Sequence, residues 1–144
     1  MAAEMPVKCS IVVESKPSAL EQPCRDILSV LEAKGFSQDD IFAVHLALEE
    51  AFHNAVKHGN KMDPDKSVTI DCVVDREKIE IRMTDEGRGF DPSRIPDPRV
   101  GQNLYRPDGR GLLLIRSYMH IVEYSERGNS LRMVRRKSPR GPKD

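Results

Sequence analysis

Apolar residues recur at helical spacing in two stretches of the first half of the chain. The first stretch begins after Pro17 and ends before Gly35, and the second begins near Gln38 and ends at Gly59. Ser37 precedes the second stretch in the position of an N-terminal cap. Spacings of three and four residues place the apolar side chains on one face of each helix, which is typical of helices that pack against a core. The pattern therefore predicts two core-packed helices.

Apolar and polar residues alternate in five other segments, which is the period of half-buried β-strands. These segments are residues 7–13, 68–74, 79–83, 121–125 and 130–135. A third helical pattern begins at Gly111, ahead of the last two strands. The elements predict an α/β fold of the two-layer α+β sandwich type. A mixed, mainly antiparallel sheet of about five strands would carry three helices on one face.

One polar residue interrupts the apolar row of the predicted sheet. Because side chains alternate along a strand, Asp85 continues the inward row that begins at Ile79. A buried carboxylate without a partner is unfavourable, so we expect Asp85 to accept hydrogen bonds from backbone, water or a ligand. Gly87 and Gly89 follow directly. Two glycines at a strand exit let a flat or anionic ligand come close to the backbone.

The end of the second helix carries polar side chains on one face. At about 100° per residue, Glu50, Asn54 and Lys57 fall within an arc of about 60°, and His58 lies beside it. The neighbouring face of this helix is apolar. We therefore expect the polar cluster to border the core.

The segment 91–108 has no regular pattern and contains four of the ten prolines, so we predict a mobile lid. Gly109, Arg110 and Gly111 follow at the start of the third helix. The first turn of a helix has unpaired backbone N–H groups, which makes this start a candidate phosphate site.

Composition and charge narrow the possible functions. The 144 residues suit one domain over residues 1–136, followed by a basic tail over 137–144 that we expect to be disordered. Basic and acidic residues number 23 each, so no overall field favours nucleic acid or an anionic membrane. The absence of a long apolar run and of a signal pattern predicts a cytoplasmic protein. The three cysteines fit reduced thiols.

Three motifs in a fixed order resemble those of a known family. They are Glu50-x-x-x-Asn54-x-x-x-His58-Gly59, Asp85-x-Gly87-x-Gly89 and Gly109-x-Gly111. The motifs are similar to the N, G1 and G2 boxes of the GHKL ATPases, which share the Bergerat ATP-binding fold. Within that superfamily, the stretch from Glu50 to Asn60 resembles the anti-sigma-factor serine/threonine kinases.

The resemblance implies a role for each motif in binding ATP and Mg²⁺. Asn54 would hold Mg²⁺ on the phosphates, since this ion prefers oxygen ligands. Asp85 would receive the amino group of adenine. Glu50 would be the general base that accepts the proton of a substrate serine. Nucleotide contacts are further implied or suggested for Gly87, Gly89, Gly109, Arg110, Gly111, Lys57 and His58. For Lys57 and His58, a favourable interaction with the helix dipole is an equally good explanation.

The resemblance also implies partners. The substrate would be a STAS-type anti-anti-sigma protein, the sequestered partner a sigma factor, and the kinase a homodimer without direct contact to nucleic acid or membrane. Two alternatives stay open: a switch that binds ATP without turnover, and the catalytic fragment of a histidine kinase. A di-iron centre on Glu50-x-x-His53 would need a second such pair and two more helices, which the strand-rich second half does not offer.

Overall fold

The computed structural model describes residues 5–87 and 107–139 of the chain. Its elements are β1 (Val7–Glu14), a 3₁₀ turn (Pro17–Leu20), α1 (Glu21–Ala33), α2 (Gln38–Asn54), a π-helical turn (Ala55–Gly59), β2 (Ser67–Val74), β3 (Lys78–Asp85), α3 (Pro107–Tyr118), β4 (Ile121–Tyr124) and β5 (Ser130–Arg136). The predicted α/β fold of five strands and three helices is confirmed. Gly89 and the predicted lid lie outside the described residues, except that Pro107 and Asp108 begin α3.

The five strands form one sheet in the order β1-β2-β3-β5-β4. Every strand pair of the described residues is antiparallel. The prediction was a mixed, mainly antiparallel sheet, and the described strands correct it to a fully antiparallel one. The chain places β4 at the far edge, and the short β4–β5 turn returns β5 antiparallel to β3. β1 and β4 are the two edge strands.

One apolar core joins the sheet to the helices. Residues of β2 alternate between buried and partly exposed, and the buried row faces the helix layer. The helices contribute Leu31 of α1, Phe52 of α2 and Ile115 of α3, all essentially inaccessible to solvent. Burial of each such side chain stabilises the fold by about 1.5–3 kcal/mol. No helix within the described ranges is long and apolar enough to span a membrane.

Two prolines shape the start of the helix layer. Pro17 opens the 3₁₀ turn, and α1 begins four residues later, at Glu21. Pro23 therefore lies in the first turn of α1, where a backbone N–H has no acceptor within the helix. The missing N–H of Pro23 consequently breaks no hydrogen bond of α1.

The start of α2 is held by residues from the other end of the chain. Ser37 caps the helix as predicted, because its hydroxyl accepts the N–H of Asp40 at 3.1 Å. The Asp40 side chain is buried and receives Arg135 Nε at 2.9 Å and the Ser138 hydroxyl at 2.6 Å. Lys137 also donates to the carbonyl oxygen of Lys34 at 2.8 Å. Two residues expected in the disordered tail are thus bonded to the domain; residues 140–144 lie outside the described residues.

Candidate nucleotide-binding site

The last turn of the second helix widens before the helix ends. α2 stops at Asn54, and the next five residues form a π-helical turn. The N–H of Asn60 donates to the carbonyl oxygen of Ala55 at 2.8 Å, which closes this wider turn. Such turns are rare and often occur at functional sites. Lys57 and His58 lie on this π turn, where Lys57 is exposed and His58 is half-buried. The prediction used the 100° step of an α-helix, so the directions of these two side chains differ from the predicted ones.

The first and third motifs lie against each other. A Cβ at Gly111 would be 3.0 Å from Glu50 Oε2 and 3.5 Å from both polar side-chain atoms of Asn54. The first turn of α3 therefore faces the polar side of α2, and a larger residue at position 111 would require Glu50 to shift. Gly109 and Arg110 belong to the same turn. The side chain of Arg110 lies outside what the structure describes.

The second motif lies beneath the end of the second helix. A Cβ at Gly59 would collide with the carboxylate of Asp85, and a Cβ at Gly87 would collide with the carbonyl oxygen of Gly59. The N–H of Gly87 donates to Asp85 Oδ1 at 2.8 Å. The prediction explained Gly87 by a ligand; the close approach of Gly59 provides a second reason, within the chain itself.

The carboxylate of Asp85 lies in an unfavourable environment for its charge. Burial raises the pKa of Asp85, while the hydrogen bond from Gly87 and the positive charge of Lys66 act in the opposite direction. The net pKa lies above the ordinary value of an aspartate. The prediction that Asp85 is drawn inward and accepts a hydrogen bond is confirmed. Its environment favours a hydrogen-bond donor as an additional partner.

Asn60 connects the first two motifs, a role that the sequence analysis missed. It is fully buried. Its Nδ2 donates to Ser15 Oγ at 3.0 Å and to the carbonyl oxygen of Ser67 at 2.9 Å, and its Oδ1 accepts the N–H of Glu86 at 2.7 Å. Because Glu86 follows Asp85 directly, Asn60 joins the end of the helix to the second motif. The sequence signal that could have revealed this role is the amide residue Asn60 directly after Gly59, the glycine that ends the helix.

A groove of about 1100 Å³ lies between α1 and α2. It reaches four of the predicted site residues, which are Glu50, Asn54, Lys57 and His58. Asp85 and Gly111 are not among its lining residues. Glu50 and Asn54 therefore line the groove on the side of α1, and they also lie against the first turn of α3.

The side chains of this region are chemically suited to ATP and Mg²⁺. The oxygen atoms of Glu50 and Asn54 converge on the space left by Gly111. Mg²⁺ prefers oxygen ligands and commonly takes few of them from protein, with phosphate and water completing its coordination. The raised pKa of the Asp85 carboxyl suits a site that receives an additional donor, such as an amino group. These donor and acceptor groups are therefore chemically compatible with a metal-bound nucleotide.

Comparison with known proteins identifies related sequences. The family described as "Histidine kinase-like ATPase domain" matches residues 13–135. The chain is 29% identical over 140 residues to "Serine-protein kinase RsbW" of Listeria monocytogenes serotype 4a, covering 92% of this chain and 89% of that protein. It is 32% identical over 108 residues to "Anti-sigma F factor" of Oceanobacillus iheyensis, covering 71% and 73%. It is 27% identical over 88 residues to "Serine/threonine-protein kinase BtrW" of Bordetella bronchiseptica, covering 60% and 62%.

A solved structure has the same fold. It is the crystal structure of the RsbU and RsbW domains of Rv1364c from Mycobacterium tuberculosis, with a TM-score of 0.63 and 16% identity. The match covers 92% of this chain and 33% of that chain. At this identity the likeness shows the fold alone, and it agrees with the predicted α/β architecture.

Proposed function

Because the chain belongs to the histidine kinase-like ATPase domain family, we propose that it is an ATP- and Mg²⁺-dependent serine/threonine protein kinase that acts as an anti-sigma factor. Membership of the family confirms the resemblance inferred from the three motifs. Relatives named as serine-protein kinase and anti-sigma F factor support the kinase and anti-sigma roles. The observation that carries the proposal is the position of Glu50 and Asn54 against the first turn of α3.

In this proposal Asn54 and Asp85 bind opposite ends of the nucleotide. Asp85 accepts a hydrogen bond from the amino group of adenine, a donor that suits a carboxyl group whose pKa is raised by burial. Asn54 Oδ1 would hold Mg²⁺, and this ion would supply positive charge next to the phosphates. Backbone contacts come from the glycines of the second and third motifs. The remaining phosphate contacts are assigned to Lys57, His58, Gly109, Arg110 and Gly111.

Glu50 is the proposed general base. Its carboxylate lies next to the turn that would hold the phosphates, because Oε2 is 3.0 Å from the Cβ position at Gly111. Glu50 accepts the proton of a substrate serine hydroxyl as that oxygen attacks the γ-phosphorus. The new bond joins the serine oxygen to phosphorus, the bond from phosphorus to the bridging oxygen breaks, and ADP leaves.

The partners are proposed by analogy with the relatives. A sigma factor is supported by the relative named anti-sigma F factor. A STAS-type anti-anti-sigma protein would be the phosphorylated substrate, and its phosphorylation would release the kinase to hold the sigma factor. We assign the kinase to a homodimer, as its family resemblance implies.

Transfer of label from ATP tests the enzymatic part of this proposal. The chain, Mg²⁺, γ-labelled ATP and a STAS protein from the same genome are incubated, and label on a partner serine, stable to acid, is expected. Acid-labile label on a histidine would instead identify a histidine kinase fragment. Bound ATP without any label on the partner would identify a non-catalytic switch, and either result would overturn the proposal.

Substitutions in α2 test the assigned residues. Glu50→Gln should retain ATP binding and lose transfer by about 10²–10⁴-fold, since this is the usual contribution of a general base. Glu49→Gln is the matched control, because Glu49 is the exposed neighbour on the same helix. Asn54→Ala should lose Mg²⁺-dependent ATP binding. Normal transfer by Glu50→Gln, or equal loss in both glutamate variants, would remove the base from the mechanism.

A further inference from the structure

Two of the three cysteines face each other across the first two strands. β1 and β2 pair antiparallel with Cys9 directly opposite Cys72, and both residues are free thiols. The two side chains are close enough to form a hydrogen bond with each other. The third cysteine, Cys24, lies on α1. The strand register therefore brings together two thiols that are far apart in the sequence.

The backbone hydrogen bonds of β1 and β2 define the spacing of this pair. The N–H of Ser15 donates to the carbonyl oxygen of Lys66 at 3.2 Å, and these residues continue the register of the two strands. Bonded pairs recur at every second residue, so Cys9 and Cys72 also form a bonded pair. The Cα atoms of such a pair lie about 5.5 Å apart, and a disulfide spans about 4.4–6.8 Å. A disulfide between Cys9 and Cys72 therefore needs no change of register.

The two thiols have different surroundings. Cys9 is exposed, whereas Cys72 is buried with 3% of its surface accessible. Burial raises the pKa of the Cys72 thiol, and the charge and hydrogen bond of neighbouring Cys9 act in the same direction. Because the thiolate is the reactive form, Cys72 stays an unreactive thiol until Cys9 has been oxidised. An accessible thiol beside a second thiol that can resolve it is the usual arrangement of redox-sensitive cysteines.

We propose that Cys9 and Cys72 are a reversible modification site, separate from the nucleotide site, at which a hydroperoxide oxidises the two thiols to an intrachain disulfide. The Cys9 thiolate attacks the terminal oxygen of the hydroperoxide, the O–O bond breaks, and the departing alkoxide takes up the proton that Cys9 released. The product at Cys9 is a sulfenic acid. The Cys72 sulfur then attacks the Cys9 sulfur, the S–O bond breaks, and the hydroxide leaves with the Cys72 proton as water. Two thiols and one hydroperoxide thus give one disulfide, one alcohol and one water.

This bond would tie down the edge of the sheet. β1 is at the end of the strand order and pairs with β2, and all its residues except Val13 are exposed. Such an edge opens locally at a lower free energy than the core. The Cys9–Cys72 bond fixes β1 to β2 and closes a loop that includes α1 and α2, which restricts the unfolded chain. Oxidation therefore stabilises the fold and slows the opening of β1.

Thiol counting tests the site on the native chain. The folded chain is treated with equimolar hydrogen peroxide, quenched and denatured, and its free thiols are counted. We expect the count to fall from three to one, and peptide mapping without reductant to find Cys9 joined to Cys72. Dithiothreitol should restore all three thiols, because an exposed disulfide is readily reduced. Three remaining thiols, or a sulfinic acid at Cys9 beside a free Cys72, would overturn the proposal.

Serine variants test the order of the two steps. Cys24→Ser is the matched control, because Cys24 is buried and its pKa is raised to about 11; this variant should form the same disulfide at the native rate. Cys9→Ser should keep both remaining thiols reduced. Cys72→Ser should accumulate a sulfenic acid at Cys9, detected by a dimedone label. A Cys9–Cys9 bond between two native chains, or loss of the disulfide in Cys24→Ser, would overturn the intrachain assignment. Peptide mapping of the native chain decides the matter even if a serine variant does not fold.

Thermal unfolding and amide exchange test the consequence for β1. The oxidised native chain should unfold at a midpoint at least about 5 °C above that of the reduced chain, because the new bond closes a long loop. Amide hydrogens of β1 that bond to β2 should exchange at least about tenfold more slowly after oxidation. Cys9→Ser should show neither change when treated in the same way. Equal midpoints and equal exchange rates in the two native forms would overturn the stabilising role of the bond.

Discussion

Two inward aspartates lie at opposite ends of α2, and their environments differ. Asp40, at the start of the helix, is inaccessible to solvent and accepts hydrogen bonds from Arg135 and from both the N–H and the hydroxyl of Ser138. Asp85, beneath the end of the helix, is half-buried and receives the N–H of Gly87. An inward carboxylate therefore indicates a binding site only where protein donors do not already satisfy it.

The pKa shifts of the two carboxyl groups have opposite signs. Burial raises the pKa of Asp40, but the hydrogen bonds from Ser138 and Arg135 and the charge of Arg135 outweigh it and hold the pKa below its ordinary value. For Asp85, burial outweighs the Gly87 hydrogen bond and the charge of Lys66, and the pKa is raised. Asp40 is thus stabilised as an anion by the protein, whereas the charge of Asp85 is not fully compensated for its burial.

The largest effect is expected at Asp40. Asp40→Asn removes the anion opposite Arg135, whose side chain is only 16% exposed, and leaves that charge without compensation. We expect the free energy of unfolding to fall by about 3–5 kcal/mol, measured by urea denaturation. ATP affinity of the folded fraction should be unchanged.

A double substitution is the control for Asp40. Asp40→Leu combined with Arg135→Met removes both buried charges, and replacement of a buried ion pair by apolar residues is often close to neutral. The double variant should therefore be more stable than Asp40→Asn. A loss below about 1 kcal/mol for Asp40→Asn would mean that the pair is screened like a surface ion pair.

The second-largest effect is expected at Asp85, and it concerns ATP binding instead of the stability of the fold. Asp85→Asn should weaken ATP binding by about 10–100-fold, because the bond to the adenine amino group is lost or reversed. The free energy of unfolding should stay constant or rise, since an amide avoids the burial of charge. Titration with ATP and with GTP sharpens the test: an amide N–H can donate to the guanine oxygen, so the preference for ATP should shrink. An unchanged preference would contradict the adenine contact.

A smaller effect, on both stability and ATP binding, is expected at Asn60. Like Asp40, Asn60 has hydrogen-bond partners within the protein, but it lies close to Asp85 in the fold. Asn60→Ala leaves the N–H of Glu86 unpaired and should reduce the free energy of unfolding by about 1–3 kcal/mol. It should also weaken ATP binding several-fold. Ser15→Ala is the matched control, because it removes one hydrogen bond of Asn60 and spares Glu86. Equal ATP affinity in the two variants would show that Asn60 does not position the second motif.

The smallest effect is the pH dependence of stability. The lowered pKa of Asp40 stabilises the fold above the unfolded-state pKa of about 3.9, and this contribution is lost as pH falls through the folded pKa. The raised pKa of Asp85 gives a contribution that is present below about 3.9 and lost as pH rises through its folded pKa. Urea denaturation from pH 3 to 7 should show opposite trends for Asp40→Asn and Asp85→Asn, each compared with the native chain.

Patterns with a short period predicted most of the fold. The alternation in β2 and the apolar face of α2 are local consequences of strand and helix geometry, so their elements and approximate limits followed from the sequence. The inward position of Asp85 followed from the same alternation. The three motifs predicted the candidate site residues, and the close approach of Gly111 to Glu50 brings two of those motifs together.

Interactions between distant residues escaped prediction. The sequence predicted only the Ser37 cap at this end of α2, while the side-chain partners of Asp40 lie 95 and 98 residues away. Asn60 likewise bonds to Ser67 in β2 and to the residues directly after β1 and β3, and no local spacing encodes such contacts. The π-helical turn brings Gly59 against Asp85, a close approach that exists only in the packed structure.

The long separation between Asp40 and its partners has a consequence for synthesis on the ribosome. Arg135 is translated 95 residues after Asp40, which takes about 5–20 s at ordinary elongation rates. During that interval the carboxylate of Asp40 has no cation to accompany it into the core, and β5 has not yet entered the sheet between β3 and β4. The nascent chain therefore completes the buried ion pair at the start of α2 only after its last strand has emerged.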